Sequence, residues 1–241
     1  MSRRTTQHRP RSIRTRAIVL HQHDFAEADR LLVLFTPVLG KVRAVAKGVR
    51  RITSRKAGHL EQYQLTDLLL ARGRDLYVVT QAEVINPFRE IREDLTRVSY
   101  VSYCLELLDQ FAIEDEEAQP VLFNFLVEAL TWLETTPDLA LTTRYFELSL
   151  LNHMGYRPEL EVCVQCGKTI APEDQYFSVT DGGVVCPSDG PTLGGAVPLS
   201  LAALKVLRFL QRSPYESLKK LKLKDAVTHE LETLMQRYVS A

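Results

Sequence analysis

The sequence predicts an α+β protein, in which a small five-stranded β-barrel precedes an α-helical region that carries a cysteine-rich insertion. Short runs rich in Val, Leu, Ile, Tyr and Thr fill residues 13–86, and apolar residues recur at helical spacing after residue 87. Three of the four cysteines lie within one stretch of 24 residues. The 241 residues are 45% apolar, which is enough to bury a globular core.

Five strands are predicted in the N-terminal third, separated by turns that contain Gly, Pro or clustered basic residues. They are expected at residues 13–21, 30–35, 41–46, 60–71 and 75–85. Five strands of this length suit a small closed barrel, and an OB-fold is the leading candidate. An SH3-like barrel or a plain β-meander would give a similar pattern.

Helical periodicity replaces the strand pattern after residue 87. Helices are predicted at residues 92–113, 120–134, 201–211 and 225–239, and another between the second and third of these ends at about residue 153. Asp138 or Thr142 is suited to cap the third helix, Gly155 to end it, and Ser200 to cap the fourth.

Four segments follow from these elements. We expect a basic disordered arm at residues 1–12, an OB-fold barrel at 13–86, an α-helical domain formed by 87–160 and 196–241, and a CxxC zinc-finger-like hairpin inserted at 161–195.

Several classes of protein are disfavoured. No apolar run approaches the ~18–20 residues that span a bilayer, so no membrane association is expected. The Arg-rich start lacks the apolar region of a secretory signal and could also suit a mitochondrial transit peptide, but we favour a basic arm on a bacterial cytoplasmic protein. Neither a phosphate-binding glycine loop nor a nucleophile elbow is present, so we expect no nucleotide cofactor and no enzymatic activity.

Charge is sorted along the chain, although the formal net charge is 0. Residues 1–60 contain fourteen Lys or Arg and three acids, whereas residues 81–160 contain five Lys or Arg and fifteen acids. This asymmetry predicts that the N-terminal barrel binds a polyanion. The few aromatic residues there favour contacts with the nucleic-acid backbone and little sequence preference.

The candidate nucleic-acid contacts are the basic residues of the barrel. In the third predicted strand, alternation places Lys41, Arg43 and Lys47 on one face, opposite Val42 and Ala44. Basic residues at strand edges also protect against aggregation, which is the alternative explanation. The full predicted set is Arg14, Arg16, Lys41, Arg43, Lys47, Arg50, Arg51, Arg55, Lys56, Arg72 and Arg74.

The cysteine cluster predicts one structural zinc ion. Cys163 and Cys166 form a CxxC motif, and Cys186 is followed by Asp189 at the same spacing. Zinc accepts a carboxylate oxygen, so a site of three cysteines and Asp189 is chemically reasonable. Three alternatives stay open: a metal-free hairpin held by packing, a disulfide between Cys163 and Cys166, and a catalytic zinc-bound water.

The C-terminal part contains a candidate partner-binding surface. Lys205, Arg208 and Arg212 recur at near-helical spacing and alternate with leucines. Such residues can form an apolar groove with a basic rim, suited to an acidic tail that ends in a hydrophobic residue. An amphipathic core helix with solvated basic residues would give the same pattern.

The order of these features resembles the RecO family of bacterial recombination-repair proteins over residues 13–240. The most specific segments are Gly-Lys-x-x-x-Val-Ala-Lys-Gly at residues 40–48 and Gly-Tyr-x-Pro at residues 155–158, shortly before the CxxC motif. The family pattern has four cysteines, and this chain departs from it at Asp189.

The resemblance implies a DNA-binding recombination mediator of the RecFOR pathway, cytoplasmic and associated with the nucleoid. Such a protein binds single- and double-stranded DNA, anneals complementary strands, and helps load the recombinase onto DNA coated with single-strand-binding protein (SSB). The implied partners are RecR, RecF in a related pathway, and the acidic C-terminal tail of SSB. The alternative function is that of an adaptor in translation or transcription, with an RNA-facing barrel and a zinc ribbon.

Overall fold

Alternating apolar residues build a closed five-stranded barrel at the start of the chain. Its strands are β1 (Ser12–Phe25), β2 (Asp29–Thr36), β3 (Gly40–Ala46), β4 (Leu65–Arg72) and β5 (Tyr77–Asn86). The long strand β1 pairs antiparallel with both β2 and β4, and a parallel pairing of β3 with β5 closes the barrel. This architecture confirms the predicted OB-type barrel.

The computed structural model describes residues 11–114 and 118–240. Residues 1–10 of the predicted basic arm lie outside the described residues, and Ser12 already belongs to β1. The chain divides into two units, Met1–Glu134 and Thr135–Ala241. The barrel and the first three helices belong to the first unit.

Two strand boundaries differ from prediction for local reasons. The first strand was expected to end at residue 21, but β1 continues to Phe25. Its last residues are polar and exposed, and backbone pairing with β2 in a hairpin keeps them in the strand. The fourth strand was expected to start at residue 60, but Leu60 instead follows a short 3-10 turn, Ala57–His59, and is buried in the barrel core.

The first unit continues with α1 (Arg89–Glu93), α2 (Leu95–Phe111) and α3 (Pro120–Thr135). Helix α2 starts three residues later than predicted because Asp94 caps it. The Asp94 carboxylate accepts hydrogen bonds from the backbone N–H groups of Thr96 (2.8 Å) and Arg97 (3.3 Å).

Replacing the cap residue tests this boundary. Asp94→Ala is expected to reduce the free energy of unfolding by about 1 kcal/mol, because two N–H groups lose their acceptor. Asp94→Asn keeps an acceptor and is expected to stay near the wild-type stability. Urea unfolding followed by circular dichroism measures both, and an equal loss in both variants would contradict capping as the cause.

The second unit packs three helices with a small sheet. Its elements are α4 (Leu139–His153), β6 (Gln175–Ser178), β7 (Gly183–Val185), β8 (Val197–Leu199), α5 (Leu201–Arg212) and α6 (Asp225–Val239), with sheet order β7-β6-β8. Of the two candidate caps for α4, Asp138 is the one used, through the Leu141 N–H (2.9 Å). Ser200 caps α5 through the Ala203 N–H (3.1 Å), as predicted. Gly155 adopts a φ of 83° just after α4, a conformation that favours glycine.

None of the helices within residues 11–114 and 118–240 combines the length and the apolar composition that crossing a bilayer requires.

Candidate nucleic-acid interface and candidate metal centre

The basic face predicted on β3 is only partly open. The Lys41 side chain is 12% exposed, and its Nζ forms an ion pair with the Asp109 carboxylate (2.8 Å) and donates a hydrogen bond to the Asp109 backbone carbonyl (2.7 Å) on α2. The Arg43 Nε donates to Glu114 Oε1 (2.7 Å). The expectation of one open face with Lys41, Arg43 and Lys47 is therefore wrong for Lys41, because the acidic end of α2 packs against that side chain.

Three other predicted contacts also have partners within the first unit. Arg14 forms an ion pair with Asp67 on the neighbouring strand (2.6 Å), and Arg50 forms one with Asp24 (3.2 Å). Arg16 donates to Asn124 Oδ1 (3.2 Å), and its guanidinium carbon lies 5.3 Å from the centre of the Phe123 ring. Ion pairs at the surface contribute little stability, so Arg14 and Arg50 remain able to exchange partners.

Five of the predicted cations have no ion pair or side-chain hydrogen bond with the rest of residues 11–114 and 118–240. These residues are Lys47, Arg51, Arg55, Arg72 and Arg74. All five are exposed. They lie in two places on the barrel, the segment that follows β3 and the end of β4 with the turn that leads to β5. Exposed cations without a carboxylate partner are available to bind phosphates.

The basic loop, residues 47–56, is held by the barrel on both sides. The Gly48 N–H donates to Asp29 Oδ1 (2.7 Å), and Val49 is buried in the core. At the other end, Lys56 Nζ donates to the Val79 carbonyl (3.1 Å), so the Lys56 side chain attaches the end of the loop to β5. A loop fixed in this way can present its charges without a large ordering cost on binding.

The turn between β4 and β5 forms a shallow cavity of about 270 Å³. Arg43, Arg72, Arg74 and Tyr77 line it, with Glu114 at one wall. The turn is tight at Gly73, where an added Cβ would lie 2.2 Å from the Leu76 carbonyl oxygen. Asp75 also lines the cavity, and Arg43 is paired with Glu114. Arg72 and Arg74 therefore supply the cationic groups of this cavity that have no carboxylate partner among the described residues.

The cysteine cluster has the geometry of a four-ligand metal centre. One ligand atom from each of Cys163, Cys166, Cys186 and Asp189 lies within 4.8 Å of all the others. The Cys166 and Cys186 sulfurs are 3.8 Å apart, and Asp189 Oδ2 lies 3.4 Å from the Cys163 sulfur and 3.2 Å from the Cys186 sulfur. Tetrahedral zinc would space two sulfurs by about 3.8 Å and a sulfur and an oxygen by about 3.5 Å. The residues present therefore fit zinc.

Local backbone hydrogen bonds bring these ligands together. The Gly167 N–H donates to the Cys163 carbonyl (2.8 Å), which turns the CxxC segment back on itself. The Cys186 N–H donates to the Cys163 sulfur (3.3 Å), which joins the two halves of the cluster. Gly183 permits the close approach between them, because a Cβ there would lie 2.5 Å from the Val164 side chain.

Hydrogen bonds among the cysteines and Asp189 shift the pKa values of the cluster. The hydrogen bond from Cys166 to Asp189 raises the pKa of that thiol to about 12 and lowers the pKa of the Asp189 carboxyl. Burial raises the pKa of Cys163, but hydrogen bonds from the Cys166, Cys186 and Gln165 backbone outweigh burial and bring that pKa below its ordinary value. Donors that stabilise a thiolate also stabilise a thiolate metal ligand.

The predicted apolar groove beside α5 is not open. Leu204, Leu207, Leu210 and Leu218 are all buried in the second unit. Of the basic residues, Arg208 donates twice to the Leu160 carbonyl (2.9 and 2.6 Å), and Arg208 and Arg212 both pair with Glu161. Lys205 is exposed. The apolar groove is not formed, because the leucines fill the core, as the alternative of an amphipathic core helix predicts. What is left beside α5 is a basic surface.

Comparison with known proteins identifies the family. The profile described as Recombination protein O N terminal matches residues 11–88, and the profile described as Recombination protein O C terminal matches residues 92–241. The chain belongs to the RecO family. The N-terminal RecO match covers the barrel, and the C-terminal RecO match covers all helices from α2 onward and the cysteine cluster.

Individual RecO proteins are similar over nearly the whole chain. The DNA repair protein RecO of Roseiflexus sp. (strain RS-1) is 40% identical over 231 residues, 96% of this chain and 81% of that protein. The DNA repair protein RecO of Dehalococcoides mccartyi (strain ATCC BAA-2266 / KCTC 15142 / 195) is 38% identical over 224 residues, 93% of this chain and 88% of that protein. The DNA repair protein RecO of Alkaliphilus metalliredigens (strain QYMF) is 32% identical over 228 residues, 94% of this chain and 92% of that protein.

One residue of this RecO barrel was not singled out by sequence reasoning. Ile52 is fully exposed in the basic loop, between Arg51 and Arg55. The available signal was an isoleucine inside a run of basic residues, where apolar side chains are not needed for a turn.

Proposed function

We propose that this chain is a non-enzymatic mediator of recombinational DNA repair that binds single- and double-stranded DNA through its barrel. The proposal rests on the five barrel cations that have no ion pair with the described part of a chain that belongs to the RecO family. Relatives named DNA repair protein RecO support the repair role. Binding would be directed to phosphates and would depend little on base sequence.

The predicted DNA contacts do not contribute equally in this proposal. The unpaired residues Arg51, Arg55, Arg72 and Arg74, with Lys47, bind phosphates directly. The ion-paired residues contribute less, because each would have to leave its carboxylate first. Lys41, which is largely buried against Asp109, attaches α2 to the barrel and leaves DNA binding to the exposed residues.

Annealing and recombinase loading follow from the same chemistry. Two strands held on cationic surfaces meet at a high effective concentration, so complementary bases pair faster than in free solution. The basic surface of Lys205, Arg208 and Arg212 would receive the acidic tail of SSB. The tail carboxylates would compete there with Glu161, which pairs with both arginines. RecR and RecF would be the other partners of this cytoplasmic, nucleoid-associated protein.

The cysteine cluster would hold one structural zinc ion. Cys163, Cys166, Cys186 and Asp189 would supply its four ligands, and a bound zinc ion would link the two halves of the hairpin. With four protein ligands, the site would be closed to substrate, which agrees with the proposed absence of catalysis.

The salt dependence of DNA binding tests the proposed function. Five phosphate contacts predict a slope of log affinity against log salt concentration of about −4 to −5 for duplex DNA and about −3 to −4 for single strands. Fluorescence anisotropy with labelled oligonucleotides measures both slopes, and annealing of complementary strands is followed in the same buffers. A slope near zero would contradict the proposal, and much tighter binding to RNA would favour the RNA-facing adaptor.

A further inference from the structure

An exposed hydrophobic side chain marks the tip of the basic loop. Ile52 has 106% of its reference exposure, so none of the residues that the structure describes covers it. It occupies the second position of a turn that the Ser54 N–H closes onto the Arg51 carbonyl (2.9 Å). Turns of this kind favour Gly, Pro, Asn, Asp and Ser, and a β-branched side chain adds nothing to them. Neither local structure nor core packing accounts for isoleucine at this position.

The tip is presented by a fixed scaffold. The Arg50 N–H donates to the Ala28 carbonyl (3.0 Å), and the buried Val49 attaches the incoming segment to the barrel core. The outgoing segment is held by the Lys56 bond to the Val79 carbonyl (3.1 Å). A side chain held by such a scaffold can enter a partner without first ordering its own loop.

The surroundings of Ile52 indicate the chemistry of that partner. Arg51 and Arg55 flank it, and neither has a carboxylate partner among residues 11–114 and 118–240. An apolar side chain between two free cations matches a nucleic-acid strand, in which stacked apolar base faces lie beside phosphates. Proteins that bend or open DNA use Ile, Leu, Phe or Met in this way, as wedges between neighbouring bases.

We propose that Ile52 inserts between adjacent bases of bound DNA and unstacks them, while Arg51 and Arg55 hold the phosphates on either side. This inference rests on the proposed function, because the barrel must first hold DNA. It adds a contact with base faces to a surface that is otherwise suited to phosphates alone. Unstacked bases are free to pair, so the wedge would also accelerate annealing.

A fluorescent base analogue tests the wedge. Single-stranded oligonucleotides that contain 2-aminopurine brighten when that base loses its stacking neighbours. Saturating wild-type protein is expected to raise the fluorescence, and Ile52→Ser to remove about half of the rise or more, whereas Ile52→Leu keeps it. The affinity of Ile52→Ser is expected to change by less than about twofold, because phosphate contacts dominate binding.

The matched control is Val38→Ser. Val38 is another exposed apolar residue in a turn of the same barrel, at 50% exposure, and its variant is expected to behave like the wild type. Because all signals are compared at saturation, weaker binding alone does not lower them. A full rise with Ile52→Ser, or no rise with the wild type, would overturn the wedge and leave DNA binding intact. Failure of the wild type to bind at low salt would overturn the proposed function and the wedge together.

Discussion

Replacing Arg51, Arg55, Arg72 and Arg74 together by glutamine is expected to weaken duplex DNA binding by roughly 100-fold at moderate salt. Each of these side chains is exposed and lacks a carboxylate partner among the described residues, so each is available for a phosphate. Losing four phosphate contacts also makes the salt dependence shallower, by about three to four in the slope of log affinity against log salt. Titrations at several salt concentrations measure both effects.

The control for this variant removes the same amount of charge from the second unit. Lys219, Lys220, Lys222 and Lys224 are exposed, and their replacement by glutamine is expected to change the affinity by less than about threefold. Equal losses in the two variants would mean that net charge, and not the barrel surface, determines binding. An unchanged salt slope in the arginine variant would contradict the proposed interface.

Removing the metal ligands is expected to have the second large effect. We expect the purified protein to contain about one zinc ion per chain and Cys163→Ser to contain almost none, since Cys163 is the buried ligand of the cluster. Binding of structural zinc provides several kcal/mol of folding free energy, so loss of the ion should lower the stability of the second unit by several kcal/mol. Metal analysis and thermal unfolding with and without a chelator measure these two quantities.

Variants of Asp189 test directly whether its carboxylate is a zinc ligand. Asp189→Asn removes the charge and is expected to weaken zinc binding at least about tenfold, whereas Asp189→Cys restores the four-cysteine pattern and should strengthen it. Asp181→Asn is the matched control, because the Asp181 carboxylate accepts from Gln165 and Ser178 and is outside the cluster. Equal zinc contents in Asp189→Asn and Asp181→Asn would exclude Asp189 as a ligand.

The pH dependence of zinc affinity has a defined sign. In the metal-free cluster the pKa of Cys166 is raised to about 12, so this thiol keeps its proton at neutral pH. Zinc must displace that proton, and the affinity for zinc is therefore expected to rise with pH through the neutral range. Competition with a chromophoric chelator at several pH values measures the trend, and a flat profile would contradict thiolate ligation.

Local patterns were sufficient for most of the fold. The period-2 runs predicted all five barrel strands, and the cap at Ser200 predicted where α5 begins. Asp138 was one of two candidates for the start of α4, and the structure selects it. Ligand spacing predicted the cluster of Cys163, Cys166, Cys186 and Asp189, because CxxC segments close through short backbone hydrogen bonds. These features depend on residues that are near one another in the chain or repeat at a fixed period.

The candidate interface was predicted less completely. Sequence composition identified a basic barrel, but it could not separate Arg51 and Arg55 from Lys41, which Asp109 pairs across 68 residues of chain. It also left open whether the leucines of α5 line an apolar groove or fill the core, and the second unit buries them. A periodic pattern shows that a helix has an apolar face, but only the tertiary packing decides what covers that face.

For this protein, the sequence by itself determined the order of strands and helices, the sorting of charge and the membership of the cluster of three cysteines and Asp189. The tertiary structure alone decided which cations are free, how the basic loop is supported and why Ile52 stands exposed. The physical reason is that strands, helices and short-range ligand sets follow from local periodicity and spacing. The charge of a side chain, in contrast, is neutralised by whichever carboxylate the fold brings within a few ångströms, however distant it is in the chain.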